Sequence, residues 1–183
     1  AQALATRFPG AGARLPELLD LVALATVADV SDLTGANRAL VRLGLQRMRT
    51  RPRPGLRAIM LRAAVFPDRL DEESIAYRLA PRLNAAGRMA SASDAYALLR
   101  ARTLDDALPL ADALHELNQR RQQEQEKSLR EAHAVIAALD ELPLFMTVRH
   151  DNWSSGTVGL VAGKLAAAYC RPVLALSRDG TSW

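Results

Sequence analysis

The residues of this chain whose types and spacing could do chemistry are concentrated in Arg78-Leu79-Ala80-Pro81-Arg82-Leu83-Asn84-Ala85-Ala86-Gly87-Arg88-Met89. Three arginines and an asparagine stand among small and apolar residues, and one proline and one glycine interrupt the run. Arginine presents a planar fork of donors that matches phosphate oxygens. The Ala and Gly beside it would let a bulky ligand approach the backbone. The chemistry on offer is anion binding, and its bland alternative is a helix end with solvated arginines.

A second candidate is Asp20-Leu21-Val22-Ala23-Leu24-Ala25-Thr26-Val27-Ala28-Asp29-Val30, apolar except at Asp20, Thr26 and Asp29. A carboxylate among apolar neighbours must be hydrogen-bonded, paired or bound to a metal. Asp29 precedes Leu33-Thr34-Gly35, so locally it reads as a cap for the next turn, with metal ligand as the alternative. Metal-assisted phosphoester hydrolysis needs several convergent ligands, and Asp29 with Asp20 and Asp32 is too few. The histidines are scattered, and His115 and His133 read as solvated residues of a polar helix. No HExxH, Walker lysine motif or GxSxG occurs. Gly156-Thr157-Val158-Gly159 opens a helix after a strand and could cradle an anion. Tight helix–sheet packing explains those glycines equally well and is the preferred reading.

The frame for these residues is a chain of 183, 49% hydrophobic and 4% aromatic, enough for one domain or one and part of a second. No apolar run approaches the ~20 residues of a membrane span. Ala1-Gln2-Ala3-Leu4 does not begin a secretory signal, and the lone Cys170 supports neither an intramolecular disulfide nor a cysteine-rich zinc site. A soluble cytoplasmic protein is expected. The charge is uneven. Residues 1–103 hold 16 Arg, no Lys and 9 acids, a balance of +7, whereas 104–183 carry −3. The first part is therefore a candidate polyanion surface.

Leu15-Pro16-Glu17 reads as a helix start, with Pro16 near the first helical position. Residues 20–30 fit a buried strand or a buried helix equally. Ala36 to Arg49 forms an amphipathic helix that Arg51-Pro52-Arg53-Pro54-Gly55 stops, and a short helix covers Leu56 to Val65. Asp71 caps a helix running towards Ala80, with Ile75 and Leu79 inward. Ser91-Ala92-Ser93-Asp94 and Thr103-Leu104-Asp105-Asp106 have capping-box spacing and open two more helices. Pro109 predicts a kink in the second of these. Asn118 to Ser128 contains no apolar residue, so this stretch is expected to bridge two bodies through solvent. Beyond Pro143, strand 144–149, helix 156–169 and strand 172–177 make a βαβ unit with parallel strands. Asp179-Gly180-Thr181-Ser182-Trp183 then falls in mid-sheet. The fold class is α/β, mostly helical at first.

Asp20 to Val30, then Asn37-Arg38-Ala39-Leu40-Val41, then Arg82-Leu83-Asn84-Ala85-Ala86-Gly87-Arg88 resemble the RecJ family of single-strand-specific DNA exonucleases, within the DHH phosphoesterase superfamily. Leu117-Asn118 and the helix after it look like that family's connector. Trp153 and Gly156 to Leu165 look like the start of its DHHA1 domain. The resemblance is collinear over nearly the whole chain. It implies residues 1–103 as the C-terminal part of a DHH domain, 104–142 as a connector and 143–183 as the N-terminal part of a DHHA1 domain.

The activity it implies is 5′-to-3′ hydrolysis of single-stranded DNA in repair and recombination, by a monomer that uses Mn2+ or Mg2+. Asp29 would be a metal ligand and the catalytic carboxylate, and Asn84, Arg88 and Arg82 would bind nucleic acid. Asp20 is assigned a structural role. The aspartate-rich and Asp-His-His motifs are absent, so the missing N-terminal half of the DHH domain is an implied partner, and the chain alone is expected to be inactive. Ala25 stands where the family has glycine, and Trp153-Ser154-Ser155-Gly156 replaces its Trp-His-Pro-Gly turn. These departures keep a non-catalytic nucleic-acid-binding module open, and the metal centre shared across the superfamily keeps open a phosphodiesterase for short oligonucleotides or cyclic dinucleotides.

Overall fold

The computed structural model describes residues 12–178. The expectations for Ala1 to Leu4 and for Asp179 to Trp183 lie outside them. Contacts divide the chain into two compact units. The first comprises residues up to Asn84 together with Ala92–His115. The second comprises Ala85–Ser91 and everything from Glu116 onward.

The first unit is helical. A 3-10 turn over Gly12–Leu18 leads into α1, Leu19–Ala28, so the apolar run is a helix and not a strand, buried on the face of Asp20, Ala23, Leu24 and Val27. α2, Gly35–Thr50, packs along it through Val41, Gly44, Leu45 and Met48. Gly44 is required at that crossing, because a Cβ there would overlap the Leu19 carbonyl and the Ala23 side chain. α3, Pro54–Arg62, begins with proline at its first position, where no intrahelical donor is needed. Asp20 is fully buried and accepts from Arg53 through Nε at 2.7 Å and Nη2 at 2.6 Å, the structural role expected of it.

Asp71 caps the next helix, accepting from the Ser74 backbone at 2.7 Å and its hydroxyl at 2.6 Å, and Ile75 and Leu79 are fully buried. The arginine-rich run is not broken by its proline and glycine. Glu72–Ser74, a π-helical turn Ile75–Leu79 and α4, Ala80–Met89, follow one another without interruption, and α4 belongs to the second unit from Ala85 onward. The Ala80 amide donates five residues back, to Ile75. This wider turn shifts the hydrogen-bond register just before Pro81, whose missing N–H an α-helix would otherwise leave as a gap. α5, Ala92–Arg100, completes this part, and Leu98 is its buried residue.

α6, Leu104–Ala137, carries Pro109 inside it and is shared between the units. Its start is capped as the spacing predicts, with the Asp106 amide donating to Thr103 Oγ1 at 3.1 Å and Thr103 donating to Asp106 at 2.6 Å. In the first unit it buries Ala107, Ala111 and Leu114. The solvent-bridging expectation for Asn118 to Ser128 is corrected: Asn118, Gln125 and Ser128 are buried. Polar composition concealed a packed face.

The second unit holds the βαβ element. β1, Met146–His150, and β2, Val173–Ser177, are parallel, with Met146 opposite Val173 and Val148 opposite Ala175. α7, Ser155–Tyr169, connects them, and Ser154 caps it by accepting from the Gly156 amide at 3.3 Å. Ala132 and Ile136 from α6 join Met146, Val148, Trp153, Val161 and Leu165 in one core. The end of the long helix therefore supplies apolar surface that a lone βαβ unit would lack.

Candidate nucleic-acid interface

Asp29 closes α1 as its C-cap and is exposed, so neither burial nor capping of α2 describes it; Thr34 stands at the α2 N-cap. Its Oδ2 accepts a long 3.4 Å hydrogen bond from Ser31 Oγ, leaving lone pairs turned to solvent. Val30 beside it holds φ at 56° and is 88% exposed. A β-branched residue in the left-handed region is strained, and such strain accumulates at functional sites. A cavity of about 300 Å3 lies alongside, lined by Val27, Val30, Leu33, Glu72, Ala76 and Tyr77, among others.

One carboxylate with open lone pairs fits a divalent cation as a single ligand. Among the described residues no group of three or more His, Cys, Asp or Glu is placed to hold one. The donor set in this chain is therefore incomplete by itself.

Asn84 and Arg88 stand four residues apart on α4, and both are exposed, while Ala85 and Ala86 between them are fully buried. That alternation is what a helix gives when one face packs and the other offers donors. Arg88 donates from Nη1 to the Gly156 carbonyl at 3.2 Å. The approach is reciprocal, because a Cβ on Gly156 would overlap the Arg88 carbonyl. Gly156 is thus a close-approach glycine, though against α4. Gly159 has open space around it, so helix–sheet packing does not account for it.

Arg82 is placed differently. Its Nε donates to His115 Nδ1 at 3.1 Å and its Nη1 to the Arg78 carbonyl at 2.5 Å. Burial, and after it the charge of Arg78, disfavours its protonated form. Arg78 in turn bonds the carbonyls of Ala63 and Ala64, so both side chains brace the helix. His115 is half-buried and engaged, not simply solvated. Sequence spacing gave no hint of this pair, since 33 residues separate its members.

Trp153 is buried and donates Nε1 to Glu131 Oε2 at 2.8 Å, with the His150 ring stacked on it at 5.9 Å. A cavity of about 480 Å3 in this unit is lined by Arg88, Lys127, Glu131, Asn152, Trp153 and Ser154, among others.

An exposed carboxylate in the helical first unit, an exposed Asn–Arg pair on α4 and a parallel βαβ element in the second unit define the class first: an α/β protein with candidate phosphate-binding residues. No family model matches the chain. Single-stranded-DNA-specific exonuclease RecJ of Salmonella typhimurium is 39% identical over 171 residues, covering 91% of this chain and 30% of that protein. The crystal structure of RecJ from Thermus thermophilus in complex with Mg2+ superposes with a TM-score of 0.81 at 34% identity, over 89% of this chain and 26% of that one. Its counterpart in complex with Mn2+ gives the same TM-score at the same identity, over 24% of that chain. The chain is homologous to a segment of RecJ, and spans less than a third of these relatives' length.

Proposed function

We propose that the complete protein is a metal-dependent exonuclease that hydrolyses single-stranded DNA from the 5′ end, serving repair and recombination in the cytoplasm as a monomer. The observation that carries this reading is the exposed Asn84–Arg88 pair, one turn apart on a helix whose intervening alanines are buried. Homology to RecJ supports the choice of substrate.

In this reading residues 1–103 complete a DHH domain, 104–142 connect, and 143–183 begin a DHHA1 domain. Mn2+ or Mg2+ supplies an activated water when bound. Asp29 offers the ion one carboxylate. Asn84 and Arg88 hold strand phosphates, Arg88 by charge and fork geometry, Asn84 by its amide. Arg82 fixes the helix and contributes positive potential. The missing N-terminal half of the DHH domain brings the remaining metal ligands. The exposed Val30 and Tyr77 near Asp29 are 88% and 76% accessible, which suits a surface that further chain covers.

The test is the complete protein with Mn2+ and 5′-labelled single-stranded DNA. Mononucleotides should be released from the 5′ end, and Asp29→Ala should abolish release. No degradation of any single-stranded nucleic acid by the intact protein would refute the enzyme reading and leave the non-catalytic binding module. Turnover confined to the shortest oligonucleotides would instead favour the small-phosphodiester alternative.

A further inference from the structure

Four polar residues of α6, Asn118, Arg121, Gln125 and Ser128, follow one another at spacings of three, four and three, which places them on one helix face. Asn118, Gln125 and Ser128 are 2%, 6% and 5% exposed, and Arg121 is half-buried. Buried polar groups are costly unless hydrogen-bonded. Yet Asn118 Oδ1 and Arg121 Nε are both buried without a hydrogen-bond partner among the described residues. Burial opposes the Arg121 charge, the nearby Arg88 charge opposes it further, and no carboxylate is among the groups acting on it. The Arg121 guanidinium is partly dry and feels the positive charge of Arg88, and an anion between them would relieve both the burial and the repulsion. The unpaired Asn118 oxygen fits the same ligand, because turning the amide over puts its NH2 in that position.

We propose that Arg121 and Asn118 form, with Arg88, a phosphate subsite on the connector helix that takes a backbone phosphate of the bound strand. The inference rests on the nucleic-acid reading above and extends it to residues of the connector. Paired forks suit a phosphate better than a single carboxylate, because a phosphodiester presents two anionic oxygens and spreads one charge over both.

The experiment is single-stranded DNA binding by the complete protein, by fluorescence anisotropy across a salt series, without catalytic metal. Arg121→Gln should weaken binding roughly tenfold, as loss of a charge-assisted hydrogen bond does. It should also make the slope of log K against log salt less negative by about 0.7, one single-strand phosphate contact. Arg121→Lys keeps the charge and should retain the slope at an intermediate affinity. A parent that binds with a clear slope, beside an Arg121→Gln variant with that same slope, overturns the subsite. So does an equal affinity loss in the Lys and Gln variants with the slope kept, since Arg121 then serves packing or a carboxylate elsewhere in the protein. A parent with no measurable binding removes the nucleic-acid reading itself.

Discussion

Gly156→Ala should destabilise the second unit, although alanine is the better helix former. The added Cβ meets the Arg88 carbonyl, a backbone atom, so no flexible side chain can swing aside. Overpacking of this kind typically costs about 1–3 kcal/mol. Displacing α4 also loses the 3.2 Å bond from Arg88 to the Gly156 carbonyl, about 0.5–1 kcal/mol for an exposed hydrogen bond. Against this stands a gain of at most about 0.5–1 kcal/mol from removing glycine, and less in a first turn. The net loss is about 1–3 kcal/mol. Gly159→Ala on the same helix has nothing within 4 Å of its new Cβ and should be neutral or stabilising. Hydrogen exchange of α7 amides in the complete protein reads both. Protection should fall roughly 5–150-fold in Gly156→Ala and hold or rise in Gly159→Ala. If both variants hold or raise protection alike, the close approach of α4 and α7 is wrong, and so is the account of how Arg88 is positioned.

Three further outcomes follow from the same contacts. Arg53→Ala leaves the buried Asp20 carboxylate without its bidentate partner and should cost about 3–5 kcal/mol, while the double change Asp20→Leu with Arg53→Met should cost less than the single one; urea unfolding compares them. Asp71→Ala removes a helix cap worth about 1 kcal/mol. Its bonds to the Ser74 side chain and backbone hold the Asp71 carboxyl below its ordinary 3.8, so the stabilisation is complete above that value and is lost as pH falls through the folded one. The exchange difference across residues 72–79 between variant and parent should therefore be large at pH 6 and shrink below pH 3.8. Finally, Arg88→Ala should weaken single-stranded DNA binding roughly tenfold, but Arg62→Ala by much less, because Arg62 is engaged with Asp112. Equal losses in anisotropy titrations would mean diffuse electrostatics.

Signals carried by neighbouring residues were legible in the sequence. The caps at Asp71 and Thr103 are local hydrogen bonds over three residues, and they form as their spacing predicts. The βαβ unit announced itself because its periodicity changes within a few residues. Residues 20–30 fit helix and strand equally, because apolar residues occupy both the buried face, Ala23, Leu24 and Val27, and the exposed positions Ala25 and Val30, which hides the period. Whether the helix continues through Pro81 is open in the sequence for a different reason. Helix breaking assumes an α-helical register, and the π turn at Ile75–Leu79 changes that register just ahead of it.

The candidate site divides along the same line. Exposure of Asn84 and Arg88 follows from their spacing against two alanines, a local fact. What the other arginines do depends on partners far away in sequence, Arg82 on His115 and Arg53 on Asp20, which no local pattern encodes. The connector makes the sharpest case. A stretch without apolar residues normally has no reason to be buried, so composition argued for solvent. Burial of Asn118, Gln125 and Ser128 reverses the question, because such a face needs hydrogen-bond partners, and two of its atoms have none among the described residues. A polar face that is buried but unsatisfied is poorly suited to a purely structural role. An anionic ligand answers the deficit, which is why the arginine that sequence reading passed over belongs beside the one it singled out.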